Sequence, residues 1–227
     1  MAAPLLELTG VSRSYGPLQA LQPVDLAVAA GQCVALLGVN GSGKSTLLRI
    51  AAGRDSPTAG QVRYGGMRLL EDGLVARTQI AVAGEPSSTY PDLTVREHLL
   101  LTAVAHGGGP AAPGLVDDAL AECRLTGHGG ALPGSLSSGQ RQALQLAAVL
   151  VRPRRLLILD EPEQRLDPAA RRWLAGLLSR EKARGTAVLL ATHHVELAEA
   201  VADEVLVLLD GGVAGRGTPA VALSALR

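Results

Sequence analysis

The sequence predicts an α/β fold with a largely parallel sheet, on three observations. Short aliphatic runs alternate with helical segments along the chain. The runs Cys33–Leu37, Leu156–Leu159, Ala187–Ala191 and Val205–Leu209 are continuously apolar, as expected of strands covered on both faces. The first of them passes through a glycine-rich loop straight into an aliphatic helix.

Helices are expected to begin near Lys44, Thr94, Leu115, Gly139, Pro168, Val195 and Pro219. Asp167-Pro168 and Thr218-Pro219 each place an N-cap before a proline whose fixed φ suits the first helical position. Gln61–Tyr64 before Gly65-Gly66, and Val205–Leu209 before Gly211-Gly212, read as hairpin strands, because such turns take residues that accept positive φ. The Gly/Pro-rich stretches His106–Gly114 and Thr126–Gly134 flank a short helix around Asp117–Cys123. Residues from about 95 to 152 are therefore expected to form a helical insert within a single domain spanning 1–227.

Composition excludes several classes of function. The 227 residues carry 21 basic and 21 acidic side chains, so the formal net charge is zero. Non-specific nucleic-acid binding draws on an excess of Lys and Arg, and none is present. The longest uncharged stretches, Leu26–Gly43 and His98–Val116, are broken by glycines with Asn or Pro, and neither reads as a membrane span. No charged-then-apolar leader is visible before Glu7, and the two cysteines have no metal or disulfide spacing, so a reducing cytoplasm is expected. Phe is absent, Asn40 is the only Asn, and Lys occurs only at 44 and 182. Codon bias explains that scarcity, and makes the surviving residues worth locating.

Gly38-Val39-Asn40-Gly41-Ser42-Gly43-Lys44-Ser45-Thr46 has the G-x-x-x-x-G-K-[ST] pattern in its strand–loop–helix context. Glycines let successive backbone N–H groups wrap phosphate oxygens, and the helix N-terminus favours negative charge. Lys44 is placed to reach the β- and γ-phosphates, and Ser45 to offer its hydroxyl to Mg²⁺. The strand Leu156–Leu159 then delivers two carboxylates, Asp160 for Mg²⁺ and Glu161 as general base toward water, expected beside the P-loop. No N-K-x-D guanine-reading motif occurs.

Leu136-Ser137-Ser138-Gly139-Gln140 opens an apolar helix upstream of those carboxylates, and Ser137 with the first helical N–H groups makes an anion site. With these three ordered motifs the chain resembles the nucleotide-binding subunits of ABC transporters, from Leu5 to about Pro219. The resemblance implies a P-loop NTPase core with an antiparallel β subdomain and an inserted α-helical subdomain. It implies that Ser137, Ser138, Gly139 and Gln140 grip the γ-phosphate held by the opposite protomer. Tyr15 matches the aromatic that stacks on adenine, His193 the switch histidine on the γ-phosphate, and Asp167 the aspartate that crosses the dimer seam.

Four places depart from that pattern. Glu85 stands at the Q-loop position as an expected Mg²⁺ ligand, lacking the amide N–H. Ser138 replaces the first signature glycine, at a cost in strain if φ is positive. Glu163-Gln164-Arg165 brings bulk and charge where small residues usually precede Leu-Asp, and His194 takes a usually acidic position without an assigned role.

The resemblance implies an ATP- and Mg²⁺-dependent hydrolase that pairs with a second copy or a paralogue. It would drive transmembrane permease subunits from the cytoplasmic face of the cell membrane. Glu85–His106 is the expected groove for the permease, and the Tyr90–Glu97 segment with the compact tail after Pro219 suggests the exporter branch. Two alternatives stay open at this point: a slow or non-hydrolysing ATP-gated clamp on a membrane partner, and a soluble ABC ATPase acting on DNA or ribosomes.

Overall fold

The computed structural model describes residues 3–69, 73, 78–84 and 89–224. Two sheets organise them. Strands β1 (Leu6–Tyr15), β2 (Leu18–Val28), β4 (Ala59–Tyr64) and β5 (Met67–Arg68) form an antiparallel sheet in the order β2-β1-β4-β5. The second sheet runs β10-β9-β3-β8-β7-β6, built from β3 (Cys33–Leu37), β6 (Ile80–Ala83), β7 (Leu156–Asp160), β8 (Ala187–Thr192), β9 (Glu204–Leu209) and β10 (Gly212–Gly217). Within it only β9 and β10 pair antiparallel; the other pairs are parallel.

The continuous aliphatic character of the central strands is accounted for by two cores on opposite faces. Cys33, Leu157, Leu159, Val188 and Leu190 face a core shared with the helical insert and with α5 (Pro168–Ala183). Their alternates Val34, Leu36, Leu156, Ile158 and Leu189 face a second core. That core includes α1 (Lys44–Ala51) and the inner face of the antiparallel sheet. Period-two alternation therefore distributes one apolar run between two layers. Leu, Val and Ala supply nearly all of this packing, which is how a chain without Phe still fills its interior.

The insert comprises α2 (Val95–Ala105), α3 (Ala112–Glu122) and α4 (Ser138–Leu150). Thr94 and Glu97 form a capping box that starts α2. Helix α3 begins three residues before the expected Leu115, because Pro113 is accepted in the first helical turn. The β4–β5 hairpin turns at the expected Gly65-Gly66, and the β9–β10 hairpin one residue earlier than expected, at Asp210-Gly211, with Gly212 opening β10. The long strands β1 and β2 were not legible from periodicity, since register shifts interrupt their alternation. Helices α6 (Val195–Val201) and α7 (Pro219–Ser224) complete the described chain. No helix among the described residues is long and apolar enough to cross a membrane.

Candidate nucleotide site

Three adjacent parallel strands present the chemistry at their C-terminal ends. β3 leads into the P-loop, β8 ends at Thr192 before His193, and β7 ends at Asp160 before Glu161. The carboxylate strand thus lies one strand away from the P-loop strand. β8 sits between them and carries the histidine, while Asp160 and Glu161 reach back to Ser45 and Lys44 of the P-loop.

A cavity of about 680 Å³ opens there, lined by Asn40, Gly41, Gly43, Lys44, Ser45 and Thr46 together with Asp160 and Glu161. Gly38 and Ser42 belong to the same loop. A Cβ on Gly38 would stand 2.5 Å from both the Leu208 carbonyl and Ser42 Oγ, so close approach excludes any side chain. Gly43 caps α1 with φ of 99°, the left-handed region that favours glycine. Ser42 Oγ is buried without a hydrogen-bond partner. A polar atom so placed costs free energy unless a ligand completes it, which fits an anion in this loop.

Lys44 is buried, and its Nζ donates to the carbonyls of Gly38 at 2.7 Å and Val39 at 3.1 Å. It also stands 3.6 Å from Glu161 Oε1. The Ser45 hydroxyl hydrogen-bonds Asp160. Burial pushes the Asp160 carboxyl above its ordinary range, with Ser45 opposing and the Glu161 charge adding to the rise. Burial also acts upward on Glu161. The Gln164 amide, Lys44 and His193 more than offset it and leave that carboxyl below its ordinary range. His193 Nδ1 lies 3.4 Å from Glu161 Oε2, and Gln164 donates to the same oxygen. Glu161 has φ of 47°, and a non-glycine residue held there stores about 1–3 kcal/mol of backbone strain.

The remaining sequence-predicted residues fall elsewhere. Ser137 caps α4 in a reciprocal box with Gln140: Gln140 N–H donates to Ser137 Oγ at 3.2 Å and Ser137 N–H to Gln140 Oε1 at 2.8 Å. Gln140 Nε2 also meets His128 Nε2 at 2.8 Å, so its side chain is engaged inside the protein rather than free for a ligand. Ser138 is the first helical residue and is not among the positive-φ positions, so the strain considered for it does not arise. None of Ser137–Gln140 lines the P-loop cavity. Tyr15 does not line it either; its hydroxyl donates to Asp55 at 2.5 Å, and the Arg13 guanidinium lies 4.6 Å from the ring centroid. Asp167 is exposed and caps α5 through Ala170 N–H at 2.7 Å. Glu85 lies outside the described residues.

The cavity also has walls that sequence reading missed: Gln142 and Gln145, one turn apart on α4, with Gln164 and Arg165. The i, i+3 spacing of the two glutamines was a usable signal. The contact of Gln164 with Glu161 had none, since it depends on how the segment after β7 turns.

Comparison with known proteins agrees with this geometry. The family model described as ABC transporter matches residues 21–164. Nod factor export ATP-binding protein I of Paraburkholderia xenovorans is 35% identical over 220 residues, 96% of this chain and 72% of that protein. A putative ABC transporter ATP-binding protein of Streptomyces avermitilis is 38% identical over 222 residues, covering 96% of this chain and 39% of that one. A solved ATP-binding subunit of an ABC transporter superposes with a TM-score of 0.85 at 35% identity, over 94% of this chain and 90% of the other. A bacterial ABC transporter cassette solved as a dimer has the same fold, with a TM-score of 0.86 at 24% identity over 94% and 98% of the two chains. With the P-loop and the paired carboxylates converging on one cavity, and His193 against Glu161, the chain belongs to the ABC transporter family, as an ATP-binding, ATP-hydrolysing subunit.

Proposed function

We propose that two such subunits, identical or paralogous, close head-to-tail around two ATP molecules and drive transmembrane permease subunits from the cytoplasmic face of the cell membrane. One observation carries this reading. The cavity holds Lys44, Ser45, Asp160 and Glu161 but none of Ser137–Gly139, while the capped N-terminus of α4 is fully formed outside it. A Cβ on Gly139 would meet nothing within 4 Å. A capped α4 N-terminus standing apart from the P-loop cavity suits a second subunit that brings its own α4 N-terminus to this one.

In the mechanism, Lys44 exchanges its carbonyl contacts for β- and γ-phosphate oxygens. Ser45 and Asp160, already paired, together with Glu85, would hold Mg²⁺, which offsets phosphate charge when bound. Gln164 and His193 hold Glu161 Oε2, leaving Oε1 toward the cavity as the base. A water attacks the γ-phosphorus in line, the bond to the β-bridging oxygen breaks, and the water proton passes to Glu161. The lowered Glu161 carboxyl keeps that base ionised at neutral pH. His193 would hydrogen-bond the γ-phosphate through its other ring nitrogen. Tyr15, with its hydroxyl on Asp55 and its ring partly exposed, would stack on adenine.

Export is the direction we infer, supported by the Tyr90–Glu97 segment and by relatives named for Nod factor export. The exposed Tyr90, Leu100, Leu101 and Val104 at and before α2 offer the permease an apolar surface. Steady-state ATPase of the detergent-solubilised complex, wild type beside Glu161→Gln, tests the reading. A loss of about 10²–10⁴-fold is expected. Equal rates above background would overturn the role of Glu161, and background rates in both would favour a non-hydrolysing clamp.

A further inference from the structure

The segment after β7 and the histidine pair after β8 meet in a way that the ATPase reading leaves unexplained. Glu163, His193 and His194 each offer one ligand atom, and the three atoms lie within 4.8 Å of one another. The imidazole rings stand 4.3 Å apart between centroids. Glu163 is only 1% exposed. Its Oε1 accepts a hydrogen bond from the Thr192 hydroxyl, which in turn accepts from His194 N–H at 3.0 Å. Its Oε2 is buried with no partner at all. A buried carboxylate oriented by Thr192, with one oxygen unsatisfied and two imidazoles within 4.8 Å, is the donor arrangement of a metal site with its outer support in place.

We propose that Glu163, His193 and His194 form an inhibitory binding site for Zn²⁺ or a similar borderline divalent ion. Two imidazole nitrogens and one carboxylate oxygen suit that class of metal rather than Mg²⁺ or Ca²⁺, which take all-oxygen sets. Ligand atoms about 2.0–2.2 Å from a tetrahedral zinc stand about 3.4 Å apart, so closing the observed spacing needs only side-chain rotation. His193 is the exposed member at 47% and is free to turn. Arg171 Nη1 lies 3.4 Å from His194 Nδ1, and Glu161 Oε2 lies 3.4 Å from His193 Nδ1. A water fills the fourth position. Binding draws His193 toward Glu163 and away from Glu161 and the phosphate, so the metal suppresses hydrolysis. That consequence rests on the switch role proposed above for His193; the binding itself does not.

Zn²⁺ binding to the full chain without nucleotide is measured by competition with a chromogenic chelator, for wild type, Glu163→Gln and His194→Ala. One saturable site per chain is expected, with affinity reduced at least tenfold in each variant, since even outer-shell changes cost about 10–100-fold. Thermal melting identifies variants that remain folded, and the partly exposed His194 keeps that arm informative. No saturable binding, or binding unaltered by His194→Ala, overturns the site. ATPase of the wild type is then followed with Zn²⁺ and after a zinc-selective chelator. Tight binding without inhibition overturns the regulatory role, whereas no ATPase even in chelator overturns the hydrolytic reading and leaves the metal site standing.

Discussion

Substituting Gly38 by Ala tests how closely the P-loop is fitted to the strands beneath it. Gly38 is not among the positive-φ glycines, so the substitution is unfavourable through space alone. The new Cβ would lie 2.5 Å from the Leu208 carbonyl, 2.5 Å from Ser42 Oγ and 3.1 Å from Ser42 Cβ. Leu208 belongs to β9, buried beside β3, so its carbonyl has little freedom to retreat. The loop must instead rise by about 0.5–1 Å to reach ordinary contact distance. Overpacking on this scale costs about 1–3 kcal/mol, or roughly 2–12 °C in Tm for a chain of this length. The catalytic loss is larger, because a misplacement near 1 Å at a reacting centre costs on the order of 10²-fold. ATPase rate, nucleotide affinity and thermal melting are measured together, with Gly114→Ala as control. Gly114 lies in α3 with open space around its Cβ position, and alanine there is expected to stabilise by about 0.5–1 kcal/mol. A Gly38→Ala protein that hydrolyses ATP within twofold of wild type refutes the reasoning.

Arg154 forks onto the buried Glu181 with two contacts of 2.8 Å and also bonds the Leu150 carbonyl at the end of α4. Arg154→Met is expected to cost about 3 kcal/mol by chemical denaturation, the lower end of the range because Arg184 and Thr186 still reach Glu181; Arg154→Met with Glu181→Leu recovers most of it. Burial acts upward on the Glu181 carboxyl, but Arg154, Arg184 and Thr186 leave it below its ordinary range. Its contribution is therefore complete above the unfolded value of about 4.3 and is lost as pH falls through the lower folded one, which a denaturation series at decreasing pH reads directly. Cys33 and Cys123 are buried, and burial pushes both thiols up to about 12. Neither is expected to react with a chromogenic thiol reagent at pH 8 until denaturant is added, and fast native labelling contradicts that. Ser137→Ala removes the α4 cap and lowers stability by about 1 kcal/mol in calorimetry, while the ATPase of the assembled complex falls further than that loss explains.

The scarce residues identified the cavity well: one of the two lysines and the only asparagine line it. The remaining expectations were uneven for a physical reason. Ser137 and Asp167 read as helix caps because capping is local, set by a residue and the N–H groups two or three positions on. Tyr15 was matched to adenine by position in the sequence; that its hydroxyl meets Asp55, forty residues away, no local pattern announces.

What the sequence determined by itself was whatever depends on near neighbours: the apolar strands, the glycine hairpins, the caps, and the P-loop that joins β3 to α1. What only the tertiary structure decided was which strand lies beside which, and so which side chains converge. Placing β8 between β3 and β7 brings His193 to Glu161 across a sequence separation no local pattern encodes. The same placement sets Thr192 and the two histidines against Glu163, turning an odd acidic residue into a buried, half-satisfied carboxylate. Parallel pairing requires long crossovers, so the contacts that make the site are those for which the linear order carries least information.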